Sequence, residues 1–351
     1  MTGNEAIAQG AIDAGCRFYA GYPITPQNEL PAYMAKFMPE AGGIFIQAES
    51  EIAAINMVFG ASAAGERAMT SSSSPGISLK QEGISYIAGA ELPAVIVNIM
   101  RGGPGLGNIS PSQSDYFQAT KGGGHGDYRL IVLAPASVQE AYDFMRDAFE
   151  LADKYRNPAM ILADGMLGQM MEPLQLSDND NLKSENRKLK TKLWALTGCK
   201  GRKPNIVKSF FMREGDLEES NLLLQKKYKT IQDKEERCES LYLDDAQVVL
   251  VAYGTMSRIA KAAMNTLRGK GKKVGLIRPQ TLWPFPKKIF HRRPHTAHRL
   301  RFLVVEMSYG QMLEDVELAV KGKAGVEFLG RSGGGVPTEE EIIKAVLRIK
   351  C

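Results

Sequence analysis

Short, continuous apolar runs, each closed within five to seven residues by a turn signal, alternate along this chain with segments long enough for helices. In the first half the runs are Gly43–Gln47, Ala94–Met100, Leu130–Ala134 and Ala159–Ala163. Because their apolar residues are consecutive rather than alternating, they read as strands covered on both faces. Helical segments fall between them, at Glu51–Gly65, Lys80–Gly89 and Ser137–Lys154, after an opening helix over Ala6–Ala14 with Asn4 as its N-cap and Gly15 as its stop. Strands alternating with helices of this length imply a mainly parallel sheet with helices on both sides, an α/β fold. A bundle of apolar helices would not break its runs after so few residues.

The pattern stops at about residue 177 and resumes at about 244. Gln247–Tyr253, Lys273–Ile277, Phe302–Glu306 and Val326–Leu329 read as strands, with helices near Ser257–Leu267, Gln311–Val320 and Thr338–Ile349. The expected organisation is therefore a first domain over 1–176, a charged helical connector over 177–243 and a smaller α/β domain over 244–351. Residues 177–240 carry 15 Lys or Arg and 11 Asp or Glu, a far denser charge than elsewhere, which favours a solvated surface. Leu217, Leu224, Tyr228, Ile231 and Cys238 recur within it at helical spacing and predict one helix with a narrow apolar stripe.

Composition excludes several function classes. The chain has 351 residues, and 44 Lys+Arg against 39 Asp+Glu leave a net charge of +5, too balanced to argue for nucleic acid. Cys16, Cys199, Cys238 and Cys351 form no CxxC pair, which excludes a zinc ribbon, an iron–sulfur ligand run or a disulfide framework on this chain and suggests a reducing compartment. No basic leader followed by an apolar core opens the sequence, and no run reaches 18 apolar residues, so a cytoplasmic protein without membrane spans is expected.

In parallel sheets, functional residues gather in loops at the carboxyl ends of strands. Gly21-Tyr22-Pro23-Ile24-Thr25-Pro26 brackets a threonine hydroxyl with two stiffening prolines, or is a structural turn. Gln47-Ala48-Glu49-Ser50-Glu51 places two carboxylates two residues apart at a helix entrance, where they do not face each other and so take unequal roles, or simply favour the helix start. Arg101-Gly102-Gly103-Pro104-Gly105-Leu106-Gly107-Asn108 sets an arginine before four glycines, suited to an anion, or to a flexible surface turn. This loop lacks both GxxxxGK[ST] and GxGxxG. Ser71–Ser74, followed by Pro75 and Gly76, could supply hydroxyl and amide donors or a turn, and His125 stands in a second glycine-rich loop as a possible acid–base group. His291, His295 and His298 lie among Arg292, Arg293, Pro294 and Arg299, which reads as an exposed basic loop rather than a metal site.

Taken in order, GYPITPQNE, QAESEIAAINMVFGASAAGERA, the serine run with SPG, IVNIMRGGPGLGN, VAYGT, GLIRPQTLWPFP, VVEMSYGQM and GRSGG resemble the alpha subunit of 2-oxoacid:ferredoxin oxidoreductases over nearly the whole chain. The stretch RGGPGLGNISPSQSDYFQATKGGGHGDYR is most similar to the branched-chain type, which acts on 2-oxoisovalerate (3-methyl-2-oxobutanoate). The resemblance implies a thiamine-diphosphate enzyme that decarboxylates a 2-oxoacid oxidatively with coenzyme A, giving acyl-CoA, CO2 and reduced ferredoxin. It implies a first domain like those that bind the aminopyrimidine of the cofactor, and a second like the carboxy-terminal domain of transketolases. Rival readings are the same reaction on 2-oxoglutarate or an aryl pyruvate, and a non-catalytic organising subunit.

By the same resemblance Glu51, nine residues before Gly60-Ala61, is the glutamate that favours the imino tautomer of the pyrimidine, with Glu49 the second choice. Thr25 and Arg101 match residues that bind the substrate, and Pro23, Ser74 and Gly76 join Glu51 around the cofactor. Two features of the family are missing. There is no GDG followed by an Asn-containing end for Mg2+ and diphosphate, Asp164-Gly165 having other surroundings, and there are no cysteines for a 4Fe–4S cluster. The resemblance therefore implies that Mg2+, diphosphate and cluster sit on a beta subunit, with gamma and ferredoxin-like delta subunits completing the complex.

Overall fold

The computed structural model describes residues 1–176, 192–291 and 300–349. Part of the charged connector (177–191), His295, His298 and Cys351 lie outside the described residues. The chain forms two sheets. The first comprises β1 (Phe18–Gly21), β2 (Ile44–Gln47), β3 (Ala68–Ser72), β4 (Val95–Met100), β5 (Ile131–Leu133) and β6 (Ala159–Asp164). The second comprises β7 (Cys238–Leu241), β8 (Val248–Val251), β9 (Val274–Pro279), β11 (Arg301–Glu306) and β12 (Gly325–Gly330). β10 (Thr281–Trp283) comes from the second half of the chain but pairs antiparallel with β5, so the first sheet has seven strands in the order β10-β5-β6-β4-β3-β1-β2. The other strands of that sheet are parallel, and the second runs β12-β11-β8-β9-β7 with β7 alone antiparallel.

Strand burial follows the apolar runs. Every residue of β4 and of β6 is buried, as strands covered on both faces must be. On one side of the first sheet α1 (Gly3–Asp13) packs on α2 (Glu29–Glu40) and α5 (Val138–Tyr155); α3 (Glu51–Ala63) and α4 (Ser74–Gly89) pack together. The short α6 (Gly165–Gln169) follows β6. Beyond it come α7 (Asp216–Lys234), then α8 (Gly254–Gly269), α9 (Gln311–Val320) and α10 (Glu339–Arg348) around the second sheet. No helix among the described residues is long and apolar enough to cross a membrane.

Three local expectations are corrected. The N-cap of α1 is Thr2, which exchanges hydrogen bonds with Glu5 in a capping box; Asn4 lies inside the helix, buried. α4 starts at Ser74 instead of Lys80, because Pro75 fits the first helical turn. The connector is not a solvated surface throughout. α7 buries Leu224, Tyr228 and Ile231, with Tyr228 edge-on to Trp283, and Lys227 bonds Glu91 at 3.1 Å. Leu217 is exposed and Cys238 begins β7, so neither belongs to the buried stripe.

The two halves are pinned together by polar contacts. Gln113 donates to the Tyr253 carbonyl at 3.0 Å and accepts from the Met307 amide at 2.9 Å. Arg278 of β9, buried, forks the Glu140 carboxylate of α5 at 2.7 and 2.8 Å and donates to Glu239 of β7 at 2.8 Å.

Candidate active site

The carboxyl ends of β1, β3 and β4 are adjacent in the sheet, and the loops that leave them carry Thr25, Ser74 and Arg101. In open parallel sheets ligands bind in the crevice outside these strand ends. Arg101 is buried, and its guanidinium reaches across to the β1 loop: Nη1 donates to the Thr25 carbonyl and Nη2 to the Leu106 carbonyl, both at 3.0 Å. These two bonds fix the plane of the guanidinium while each terminal nitrogen keeps a second N–H, and Nε is buried with no partner. The Thr25 hydroxyl accepts from Asn28 Nδ2 at 3.2 Å, so its own proton stays available for donation.

The β1 loop is held from beneath. The Pro26 carbonyl accepts from Asn4 Nδ2 at 2.8 Å and from Gln169 Nε2 at 3.0 Å, and both amides also bond Glu29. The β4 loop is held by Ser74: the Arg101 amide donates to its Oγ at 3.0 Å, and that hydroxyl bonds Asp115 Oδ2 at 2.6 Å. Asn98 donates to the same carboxylate oxygen at 2.9 Å and accepts from the Ser74 amide at 3.1 Å. Burial pushes the Asp115 carboxyl above its usual range, against the two hydrogen bonds that favour its charge. In the same loop Gly107 has φ +61°, and a Cβ there would overlap the Gly102 carbonyl.

The two glutamates of the β2 loop differ in burial. Ser50 caps α3 by accepting from the Ala53 amide, so Glu51 is the first helical residue; it is buried, whereas Glu49 is exposed. The Glu51 side chain lies against Gly76 of α4, where a Cβ would overlap the Ser72 hydroxyl and come within 2.7 Å of Glu51 Oε1. The hydroxyls of Ser72 and Ser73 are buried here with no partner in the protein, an arrangement that asks for a ligand's polar atoms.

Thr25, Arg101 and Ser74 are thus linked directly, and Glu51 and Gly76 meet beside them at the start of α4. Pro23 is exposed on the loop ahead of Thr25. His125 is also exposed, packed edge-on against Tyr86 and 3.4 Å from the Ser85 hydroxyl, about three helical turns from Ser74. Asp164 is spent as the cap of α6, bonding the Met166 and Leu167 amides at 3.0 and 3.1 Å. Sequence reasoning missed Asn4, Gln169, Asn98 and Asp115. Only Asn98, a polar residue inside an apolar strand, carries a signal that could have found it.

The family described as pyruvate flavodoxin/ferredoxin oxidoreductase, thiamine diphosphate-binding, matches residues 9–231, and pyruvate:ferredoxin oxidoreductase core domain II matches residues 246–342. The chain belongs to the 2-oxoacid:ferredoxin oxidoreductase family. It is 52% identical over 349 residues to the ketoisovalerate oxidoreductase subunit VorB of Methanothermobacter marburgensis, covering 99% of this chain and 97% of that one. It is 39% identical over 366 residues to the 2-oxoglutarate synthase subunit KorA of Methanocaldococcus jannaschii, covering 99% and 98%. Among solved structures, 2-oxoglutarate:ferredoxin oxidoreductase from Magnetococcus marinus, with 2-oxoglutarate, coenzyme A and succinyl-CoA bound, superposes with a TM-score of 0.81 at 28% identity. That match covers 99% of this chain, which spans 64% of the length of its relative. A split-gene transketolase matches at a TM-score of 0.62, 13% identity, with 99% and 97% covered, a likeness of fold.

In a member of this oxidoreductase family the residues can be set against thiamine diphosphate. A buried carboxylate at a helix start, a glycine beside it and two unpartnered hydroxyls fit a flat heterocycle with ring nitrogens and an amino group. No group of three His, Cys, Asp or Glu side chains that could hold a metal ion occurs among the described residues.

Proposed function

We propose that this chain is the subunit of a branched-chain 2-oxoacid:ferredoxin oxidoreductase that supplies the proton-handling and substrate-binding side of the active site. The observation that carries the reading is the pairing of a buried Glu51 against Gly76 with the Thr25–Arg101 link between the loops after β1 and β4, across the end of β3. Thiamine diphosphate, when bound, would supply a nucleophilic carbon and an electron sink for decarboxylation. Glu51 holds and returns a proton at a pyrimidine ring nitrogen, with the Ser72 and Ser73 hydroxyls and the Gly76 surface setting the ring in place. Pro23, exposed on the loop ahead of Thr25, is assigned to the same cofactor on this reading. Arg101 offers its remaining terminal N–H groups to the substrate carboxylate, and Thr25 offers its hydroxyl proton, which together orient the 2-oxo carbon.

The substrate assignment is supported by the higher identity to the ketoisovalerate relative than to the 2-oxoglutarate relative. Mg2+, diphosphate and the 4Fe–4S clusters belong on this reading to a beta subunit, with gamma and ferredoxin-like delta subunits, coenzyme A as acyl acceptor, ferredoxin as electron acceptor and the cytoplasm as location. Tyr22, Leu106 and Ile109 are exposed on the loops that frame the site, as a surface awaiting a partner would be. We keep the domain limits at 1–176, 177–243 and 244–351.

Turnover of the purified complex on a panel of 2-oxoacids tests the substrate: 2-oxoisovalerate should give the highest kcat/KM, and a preference for 2-oxoglutarate would overturn the branched-chain assignment. Arg101→Ala should raise KM for the 2-oxoacid on the order of 10- to 100-fold, the cost of losing a charged hydrogen-bond pair, while thiamine diphosphate binding stays within a few fold. An unchanged KM would remove Arg101 from the substrate site.

A further inference from the structure

The carbonyl that aims Arg101 sits on a loop anchored from the other half of the chain. Arg101 Nη2 donates to the Leu106 carbonyl, and Leu106 lies in a loop closed at its base by two main-chain bonds. The Gly102 amide donates to the Ser110 carbonyl and the Asn108 amide to the Gly102 carbonyl, both at 3.0 Å. The Asn108 side chain stands between these ends. Its Oδ1 accepts from the Ser110 amide at 3.1 Å, and a Cβ at Gly102 would come within 2.4 Å of that oxygen. Its Nδ2 donates at 3.0 Å to the Gly333 carbonyl, in the loop that follows β12.

The contact is one of packing as well as polarity. Gly334 has φ +91°, a conformation that favours glycine, and a Cβ there would come within 2.5 Å of Ser110 Cβ. The glycines of the second half therefore rest directly on the base of the Arg101 loop. Asparagine suits the place because its short side chain carries an acceptor and a donor side by side. Aspartate would keep the acceptor for Ser110 but set an oxygen against the Gly333 carbonyl. Leu106 is 82% exposed, so packing of its side chain does little to hold its carbonyl in place. The loop base is what fixes it.

We propose that Asn108 is a positioning residue for Arg101. By tying the loop base to Gly333 it holds the Leu106 carbonyl, and with it the guanidinium, in the orientation that receives the substrate carboxylate. The second half of the chain thereby takes part in substrate recognition through Gly333 and Gly334. This rests on the reading of Arg101 as the carboxylate-binding residue. The experiment uses the assembled complex carrying Asn108→Asp, Gly334→Ala or Arg101→Ala, and the two doubles that combine each of the first two with Arg101→Ala. KM and kcat are measured on 2-oxoisovalerate, thiamine diphosphate affinity by calorimetry and assembly by size-exclusion chromatography.

Asn108→Asp and Gly334→Ala are each expected to raise KM about 3- to 10-fold, the scale of one lost hydrogen bond, with kcat and cofactor affinity within a few fold. In the Arg101→Ala background neither should raise KM further, because residues that act through one another are not additive. A KM unchanged in either single variant, or a further rise of the same size in the Arg101→Ala background, would overturn the proposal. Loss of assembly in Asn108→Asp would overturn it too, by making Asn108 a folding residue. A KM unmoved by Arg101→Ala itself would instead overturn the reading of Arg101. A rise there, with KM unmoved by Asn108→Asp, would remove Asn108 alone.

Discussion

Glu51→Gln is expected to lower kcat of the assembled complex on the order of 10²- to 10⁴-fold, the range for losing a positioned acid–base group. The substitution keeps the side-chain volume and a carbonyl oxygen against Gly76, and the Ser50 cap of α3 does not depend on residue 51, so assembly with partner subunits should be unaffected. Turnover on 2-oxoisovalerate together with size-exclusion chromatography checks both halves of the expectation. Glu49→Gln, on an exposed side chain two residues earlier, is the internal control and should change kcat by less than a few fold. Equal losses in the two variants would mean that the β2 loop acts through its charge as a whole, and that burial is not what separates the two acids.

Arg278→Met is expected to destabilise the folded chain by about 3 kcal/mol, near the lower end for breaking a buried ion pair because both carboxylates retain some exposure. The guanidinium satisfies Glu140 from the first half and Glu239 from the second, and its removal takes the cation from Glu140 and leaves Glu239 only Lys261, at 3.4 Å. Thermal unfolding of the chain followed by circular dichroism reads the change. Its pH dependence has a definite sign. Burial alone would raise Glu239, but Arg278 and Lys261 hold it below its ordinary value. A carboxyl whose folded value is depressed contributes stability that is fully present above its unfolded value and lost as pH falls through the folded one. The gap between wild type and Arg278→Met should therefore be widest above about pH 5 and close below about pH 4.

The parts of the fold legible in the sequence are those whose burial is written in local composition. β4 and β6 are apolar but for Asn98 and the closing Asp164, and α9 spans the residues its pattern marks out. β1 and β3 were missed because FYAG is short and AMTSS is half polar. β3 nevertheless runs through the centre of the sheet, and its Thr70, Ser71 and Ser72 are wholly buried. The Ser72 hydroxyl lies at Gly76 beside Glu51, while that of Ser71 bonds Tyr19 and Gln27, buried polar roles that sequence pattern does not weigh. β10 was missed because three residues, Thr281-Leu282-Trp283, acquire strand character only from pairing with β5 about 150 positions earlier.

The site divides in the same way. Thr25, Arg101 and the Glu49/Glu51 pair stand out because prolines, glycines and paired acids are unusual company at strand ends. Asn4 and Asp115 do not, because a polar residue on a helix or loop reads as a surface residue until long-range packing buries it. The charge of the connector misled in the opposite direction: Lys227 and Glu235 are spent on Glu91, Lys154 and Tyr155 of the first half.

The placement of β10 also bears on how the protein is made. Parallel strands β1 to β6 are all synthesised within the first 164 residues, yet the edge at β5 stays open until residues 281–283 leave the ribosome. Until then the Val132 and Leu133 backbone is an unpaired edge, the kind of template on which nascent chains associate wrongly. The first half thus depends during synthesis on a segment made more than a hundred residues later, and a chain interrupted in the second half would leave both halves unfinished.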